Sequence, residues 1–279
     1  MSSVITIIAV MAGVGLFFGL VLAYANKKFA VEMNPLIHIV EDVLPKGQCG
    51  ACGFAGCQAY AEAVVLDKEV EPNLCIPGKK AVAQKVAELT GKAAAEVEPR
   101  MAMVKCSEPS GLALKKYVYE GISDCLAASL LQSGPKECEY GCIGLGNCVR
   151  ACVFGAIELN EEGLPVVDRE KCTGCGKCAS ACPKQIIELV LEDCHVVVFC
   201  NSRDKGAVVR KFCKVACIAC GLCVKNCPHQ AIKLQNNLAV VDYKICIENC
   251  TDAVCMEKCS TKAIRPTYII PKLEIDQAG

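Results

Sequence analysis

The chain carries Cys172-Thr173-Gly174-Cys175-Gly176-Lys177-Cys178-Ala179-Ser180-Ala181-Cys182-Pro183, and this stretch decides how the rest is read. Its spacing, C-x2-C-x2-C-x3-C-P, is the one that wraps cubane iron–sulfur clusters. Three thiolates so close together cap three corners of one cluster. The fourth, set back by three residues and followed by Pro183, is aimed at a different cluster. A zinc site wants two cysteine pairs with a long spacer between them, not one such dense run.

The wider composition agrees. Cysteine supplies 25 of 279 residues, a density that in a short secreted chain suggests a disulfide scaffold. This chain is too long for that class, and clusters need reduced thiolates, which the cytosol maintains. Formal net charge is zero, so no global charge argues for a nucleic-acid partner. The length leaves room for two or three modest domains.

Residues 4–25 contain no charged side chain, and Lys27 and Lys28 follow at once. As a helix this run spans a hydrocarbon core of about 30 Å. With no basic residue before it, the positive-inside rule leaves the cysteine-rich bulk in the cytoplasm. A cleaved signal peptide is the competing reading, since Ala23-Tyr24-Ala25 resembles a cleavage site, but the basic leader is missing and the apolar run is long. A single-pass anchor is expected over 1–26. Gly15 and Gly19 form a GxxxG step, as compatible with a partner helix as with plain lipid.

A second unit is expected over 27–98. Its cysteines are Cys49, Cys52, Cys57 and Cys75, the first three set among Gly47, Gly50, Gly53 and Gly56. Glycines let the backbone turn tightly around a metal centre and leave amides free to face cluster sulfurs. Residues 58–66 and 79–90 read as helices, and Gly91 to Pro99 as a linker.

From about residue 100 the chain repeats itself. Cys142-Ile143-Gly144-Leu145-Gly146-Asn147-Cys148-Val149-Arg150-Ala151-Cys152 aligns with Cys217-Ile218-Ala219-Cys220-Gly221-Leu222-Cys223-Val224-Lys225-Asn226-Cys227, 75 residues on. Ala156-Ile157 matches Ala231-Ile232, Asp168 matches Asp242, and Cys172 matches Cys246. Duplication on this scale means two related modules, expected over 99–192 and 193–279. Each holds two cysteine runs with short strands beside them, as at 156–159 and 186–190, and so reads as a two-cluster ferredoxin. Residues 103–106 and 196–200 read as strands leading into the modules. The fold class is therefore α+β: a transmembrane helix, a small helical [4Fe-4S] domain, and two tandem ferredoxin-like modules.

An anchor, then C-x2-C-x4-C with a distant Cys75-Ile76-Pro77-Gly78, then ferredoxin modules resembles the B component of the Rnf complexes, their iron–sulfur electron-transfer subunit. Those complexes are membrane-bound, ion-translocating ferredoxin:NAD oxidoreductases. The resemblance covers nearly the whole chain, including Gly121-Ile122-Ser123-Asp124-Cys125 and Ser202-Arg203-Asp204-Lys205-Gly206. It implies a translocase subunit in the cell membrane. It also implies reduced ferredoxin as electron donor, other subunits of the complex as partners, and coupling to Na+ or H+ transport. Family wiring, in which the first three cysteines of one run join the last cysteine of the other, implies four ligand sets. They are Cys138, Cys142, Cys148 and Cys182; Cys172, Cys175, Cys178 and Cys152; Cys217, Cys220, Cys223 and Cys259; and Cys246, Cys250, Cys255 and Cys227. With the N-terminal set, five [4Fe-4S] clusters are expected.

The sequence departs from the family pattern in places. Val153 follows Cys152 and Ser260 follows Cys259 where proline is usual, and the runs at 138–148 and 246–255 are stretched. Cys213 aligns with Cys138, which makes it an alternative to Cys220. Cys106, Cys125, Cys200 and Cys213 form either a sixth site or a group of buried thiols, and Cys194 is expected to be inert. His38, His195 and His229 read as structural. Arg203, Lys205, Arg210, Lys211 and Lys214 form either a solvated loop or a docking patch for an acidic ferredoxin. No dinucleotide or flavin motif follows a strand, so no NAD or flavin site is expected. Two other functions fit the motifs: a polyferredoxin subunit of another membrane redox complex, and a non-enzymatic cluster carrier.

Overall fold

The computed structural model describes residues 2–29, 34–107, 114–250 and 252–267. Helix α1 (Ser2–Phe29) is 28 residues long, about 42 Å at helical rise. Its apolar side chains from Ile5 onward are exposed, and none of the membrane-length window Ile5–Phe29 is covered by the rest of the chain. Lys27 and Lys28 sit in its last turn, where cations complement the helix dipole.

Three helices build the unit that follows. In α2 (Pro35–Val43) the Asn34 side chain accepts from the Leu36 N–H at 3.0 Å, and Pro35 occupies the first turn, where its missing N–H costs nothing. Helices α3 (Cys57–Leu66) and α4 (Lys79–Thr90) complete the unit. Ile37, Val40, Leu44, Tyr60, Val64 and Val86 close its core. Gly91, at φ 66°, ends α4 in the left-handed conformation that glycine adopts without strain.

The repeat region is made of two-stranded sheets and one-turn helices. The first copy contains β1 (Arg100–Val104), α5 (Cys125–Ser129), α6 (Asn147–Ala151), β2 (Ile157–Leu159), β3 (Pro165–Val167), α7 (Lys177–Ser180) and β4 (Ile187–Leu191). The second contains β5 (Val196–Val198), α8 (Gly206–Val209), α9 (Leu222–Lys225), β6 (Ile232–Gln235), β7 (Leu238–Val241), α10 (Tyr243–Asn249), α11 (Val254–Glu257) and β8 (Ile264–Pro266). In each copy the entering strand pairs antiparallel with the leaving strand, β1 with β4 and β5 with β8, and the middle strands form a hairpin. The β6–β7 hairpin turns on Asn236 and Asn237, both at positive φ, the two-residue turn that matches strand twist. Asp168 and Asp242 play the same part in the two copies. Each donates its N–H to an alanine carbonyl, Ala156 or Ala231, and each accepts from the amide of Cys172 or Cys246 four residues on.

Each copy has its own apolar core, interleaved with its cysteines. Tyr243 packs against both cores, and Lys244 reaches Glu98 at 3.0 Å. The second copy is thereby joined to the linker that precedes the first.

Candidate iron–sulfur sites

One short unit recurs four times and places eight of the cysteines. A left-handed residue opens a helical turn, a cysteine follows two positions later and a second four beyond that. A left-handed residue three positions on closes the unit. The four instances are Gly146, Cys148, Cys152, Gly155; Gly176, Cys178, Cys182, Gln185; Gly221, Cys223, Cys227, Gln230; and Ala253, Cys255, Cys259, Lys262. In each, the carbonyl of the second cysteine accepts from the closing residue's N–H, at 3.1 to 3.4 Å. Two of these cysteines precede proline and two precede Val153 or Ser260, yet the turn is the same. The departure from the proline pattern leaves the local geometry intact.

The N-terminal cysteines lie around the loop ahead of α3. The Cys57 N–H donates to Gln48 Oε1 at 2.8 Å, and Cys75 opens the 3-10 turn Ile76–Gly78. Burial pushes the Cys75 thiol up to about 11, and the charges of Cys57, Cys49 and Cys52 add to it. All four sulfurs therefore face one another's fields.

Cys152, Cys172, Cys175 and Cys178 line one pocket, beside Phe154 and Thr173. Amides point at its sulfurs: Ala102 N–H reaches Cys172 Sγ at 3.4 Å, and Ala156 N–H reaches Cys152 Sγ at 3.3 Å. Such bonds to ligand sulfurs tune a cluster's potential. Cys217, Cys220, Cys223 and Cys259 line a second pocket, and Cys213 is not among its walls. Around the fourth run, burial pushes Cys246 up to about 12, with Cys250 and Cys255 adding. Burial likewise raises Cys255 to about 11, with Cys250 and Cys227 adding.

The first copy differs from the sequence expectation. The pocket lined by Cys142, Cys148 and Cys182 has Cys125 as its remaining cysteine, not Cys138. The reason lies in α6. Leu145 stands where the other runs have Cys175 and Cys220, so this run is one ligand short. The segment at Cys125 is clamped to α6 instead. Cys125 N–H donates to Asn147 Oδ1 at 2.9 Å, Asn147 Nδ2 donates to Asp124 Oδ2 at 2.8 Å, and Arg150 Nη2 donates to the Ser123 carbonyl at 2.7 Å. The Asp124 carboxyl also caps α5, and the Ala127 and Asn147 hydrogen bonds hold its pKa below the usual range. Cys138 lines another pocket, with Cys106, Cys200 and Cys213. The pocket walls thus set Cys138, where the spacing suggested Cys125, beside Cys106, Cys200 and Cys213. Alignment of Cys138 with Cys213 was the signal that paired them, and the gap at Leu145 was the signal for Cys125.

Neighbouring sets lie close enough for their charges to interact. Phe154 packs on Gly47, where a Cβ would meet its ring at 2.7 Å. Burial raises the Cys175 thiol, with the Cys49 charge adding. Burial raises Cys178 to about 12, with Cys148 among the added charges, and raises Cys255 to about 11, with Cys223 among them.

The cysteine sets fit cubane clusters by donor chemistry: four thiols, apolar walls, and amides aimed at sulfur.

Three family profiles match the chain: a putative Fe-S cluster at residues 44–77, a 4Fe-4S dicluster domain at 141–186 and a 4Fe-4S binding domain at 215–233. The B component of the proton-translocating ferredoxin:NAD(+) oxidoreductase complex of Clostridium ljungdahlii is 60% identical, covering 95% of this chain and 93% of the relative. The corresponding component of the ion-translocating oxidoreductase complex of Methanosarcina acetivorans is 42% identical over 95% of this chain and 99% of its own. That of the Na(+)-translocating ferredoxin:NAD(+) oxidoreductase complex of Acetobacterium woodii is 40% identical over 95% of this chain and 78% of its own. With the cysteine architecture above, these likenesses establish that the chain belongs to the family of Rnf B components, the iron–sulfur electron-transfer subunits of ion-translocating ferredoxin:NAD oxidoreductases.

Proposed function

We propose that this chain receives electrons from reduced ferredoxin at its second module and leads them toward its N-terminal cysteine set and the neighbouring subunits. Helix α1 is then a single membrane anchor with the cysteine-rich bulk on the cytoplasmic side, and the chain divides at 1–26, 27–98, 99–192 and 193–279. A cubane cluster held by four thiolates supplies one-electron storage and transfer. The protein's part is to hold the thiolates in sets, exclude water from their walls and keep neighbouring sets close. Two named relatives translocate protons and Na(+) respectively. By that likeness, electron flow here drives cation transport in the complex.

The observation that carries the donor side is the surroundings of Cys220. It is the exposed cysteine of the chain. The segment bearing Arg203, Lys205, Arg210, Lys211 and Lys214 folds against that loop: Gly206 lies so close to the Ile218 carbonyl that a Cβ would collide with it. All five basic side chains are exposed, and none is held in an ion pair among the described residues. An exposed basic face beside a cluster loop steers an acidic electron donor.

Changing these five residues to Glu is expected to slow reduction by ferredoxin in stopped-flow. The loss should shrink as salt rises, since exposed charges are screened over about 10 Å at 0.1 M. Equal rates at low salt, with iron content unchanged, would move the docking site elsewhere.

A further inference from the structure

The structure assigns a sixth [4Fe-4S] site to Cys106, Cys138, Cys200 and Cys213, shared between the two ferredoxin copies and bridging them. This rests on the iron–sulfur reading above and adds a ligand set that no matched family segment contains.

The four cysteines come as two equivalent pairs. Cys106 stands two residues beyond the end of β1, and Cys200 two residues beyond the end of β5. Cys138 and Cys213 occupy matching positions 75 residues apart. Each copy thus gives one cysteine from its entering strand and one from ahead of its first cysteine run. The pairs meet in one pocket, whose other walls include Phe199, Val215 and Ala216. Ser107 Oγ donates to the Phe199 carbonyl at 3.4 Å across the junction.

The sulfurs are approached by amides in the same paired way. Cys142 N–H points at Cys106 Sγ at 3.5 Å. Burial raises the Cys200 thiol, and the backbone of Ser202 and of Cys217, the residue equivalent to Cys142, acts against that. Cys142 and Cys217 themselves belong to the flanking sets, one in each copy. The shared site therefore touches both neighbours through backbone and side chain of single residues.

A buried cation gives an independent sign. Arg265 is 7% exposed, and its Nη1 and Nη2 have no hydrogen-bond partner. Its Nε donates to the Lys262 carbonyl at 2.7 Å, and the guanidinium lies 6.0 Å from the Phe199 ring centroid. Burial pushes the Arg265 pKa below its usual value, and the charges of Cys259 and Cys213 act against that. A buried unpaired cation is costly. Negatively charged thiolate-bound clusters on either side, at Cys213 and at Cys259, would provide its counter-charge.

The test counts iron and acid-labile sulfide in the full chain, purified anaerobically with its complex partners removed in detergent. Wild type is expected to hold about 24 of each, four per set. Cys106→Ser/Cys200→Ser is expected to hold about 20, with one fewer spin in the fully reduced EPR spectrum. A wild-type count of about 20 would overturn the sixth site while leaving the five-cluster reading standing. A double variant that keeps the wild-type count would also overturn it. If the variant loses all its iron through misfolding, the wild-type count alone decides. Zinc with little sulfide would instead overturn the iron–sulfur reading itself.

Discussion

We propose that Leu145 redirects a ligand set. It occupies the middle position of a run that is cysteine at Cys175 and Cys220, and the chain supplies Cys125 in its place, clamped by Asp124, Asn147 and Arg150. Cys125→Ser is therefore expected to remove one cluster, about four irons. Leu145→Cys in the same background is expected to restore it, by rebuilding the compact spacing. Iron analysis of the two variants checks this, and full iron in Cys125→Ser would return Cys138 to that set. Cys194 behaves differently. It is 1% exposed, and its thiol donates to the Val196 carbonyl at 3.1 Å. Burial pushes it up to about 11, so it stays neutral and slow to alkylate at pH 8. The stability it lends by remaining neutral is present below its ordinary pKa of about 9 and is lost as pH rises through about 11. Mass spectrometry after iodoacetamide treatment at pH 8 should find it unmodified in the folded protein. The residue scale was largely legible in the sequence, because cysteine spacing encodes local loops. The pocket walls group Cys125 and Cys138 differently from the spacing, because their neighbours come from segments distant in the chain, which spacing does not encode.

Among the elements, the recurring cysteine turn explains why such short helices and strands hold. Three of its four instances open on glycine in the left-handed conformation, and the last on Ala253 at φ 46°. A residue with a Cβ pays roughly 1 kcal/mol for that conformation. Ala253→Gly is expected to raise the urea midpoint of the cluster-loaded chain, and a lowered midpoint would show that the Ala253 methyl packs for more than the strain costs. Helices α3 and α4 were readable from apolar periodicity. Helix α2 was not anticipated, although Asn34-Pro35 is a cap followed by a first-turn proline, and Ile37, Val40 and Leu44 follow at helical intervals. The strands were visible as β-type runs, but their pairing was not. β1 meets β4, and β5 meets β8, across most of a module, and alternation along three to five residues carries no information about so remote a partner.

At the scale of the whole molecule, the duplication has a consequence beyond doubling the number of sites. Equivalent cysteines from both copies face each other at the junction, and the N-terminal unit meets the first copy through Gly47 and Phe154. Neighbouring cysteine sets thus adjoin one another from the N-terminal unit into both copies, as an electron relay needs. The central claim is that these sets hold cubane clusters. It is tested most directly by Mössbauer spectroscopy of the full chain, grown on 57Fe and purified without oxygen. The account predicts that essentially all iron appears as [4Fe-4S] clusters, with sulfide equal to iron. Iron in isolated thiolate sites, or stoichiometric zinc with little sulfide, would contradict it.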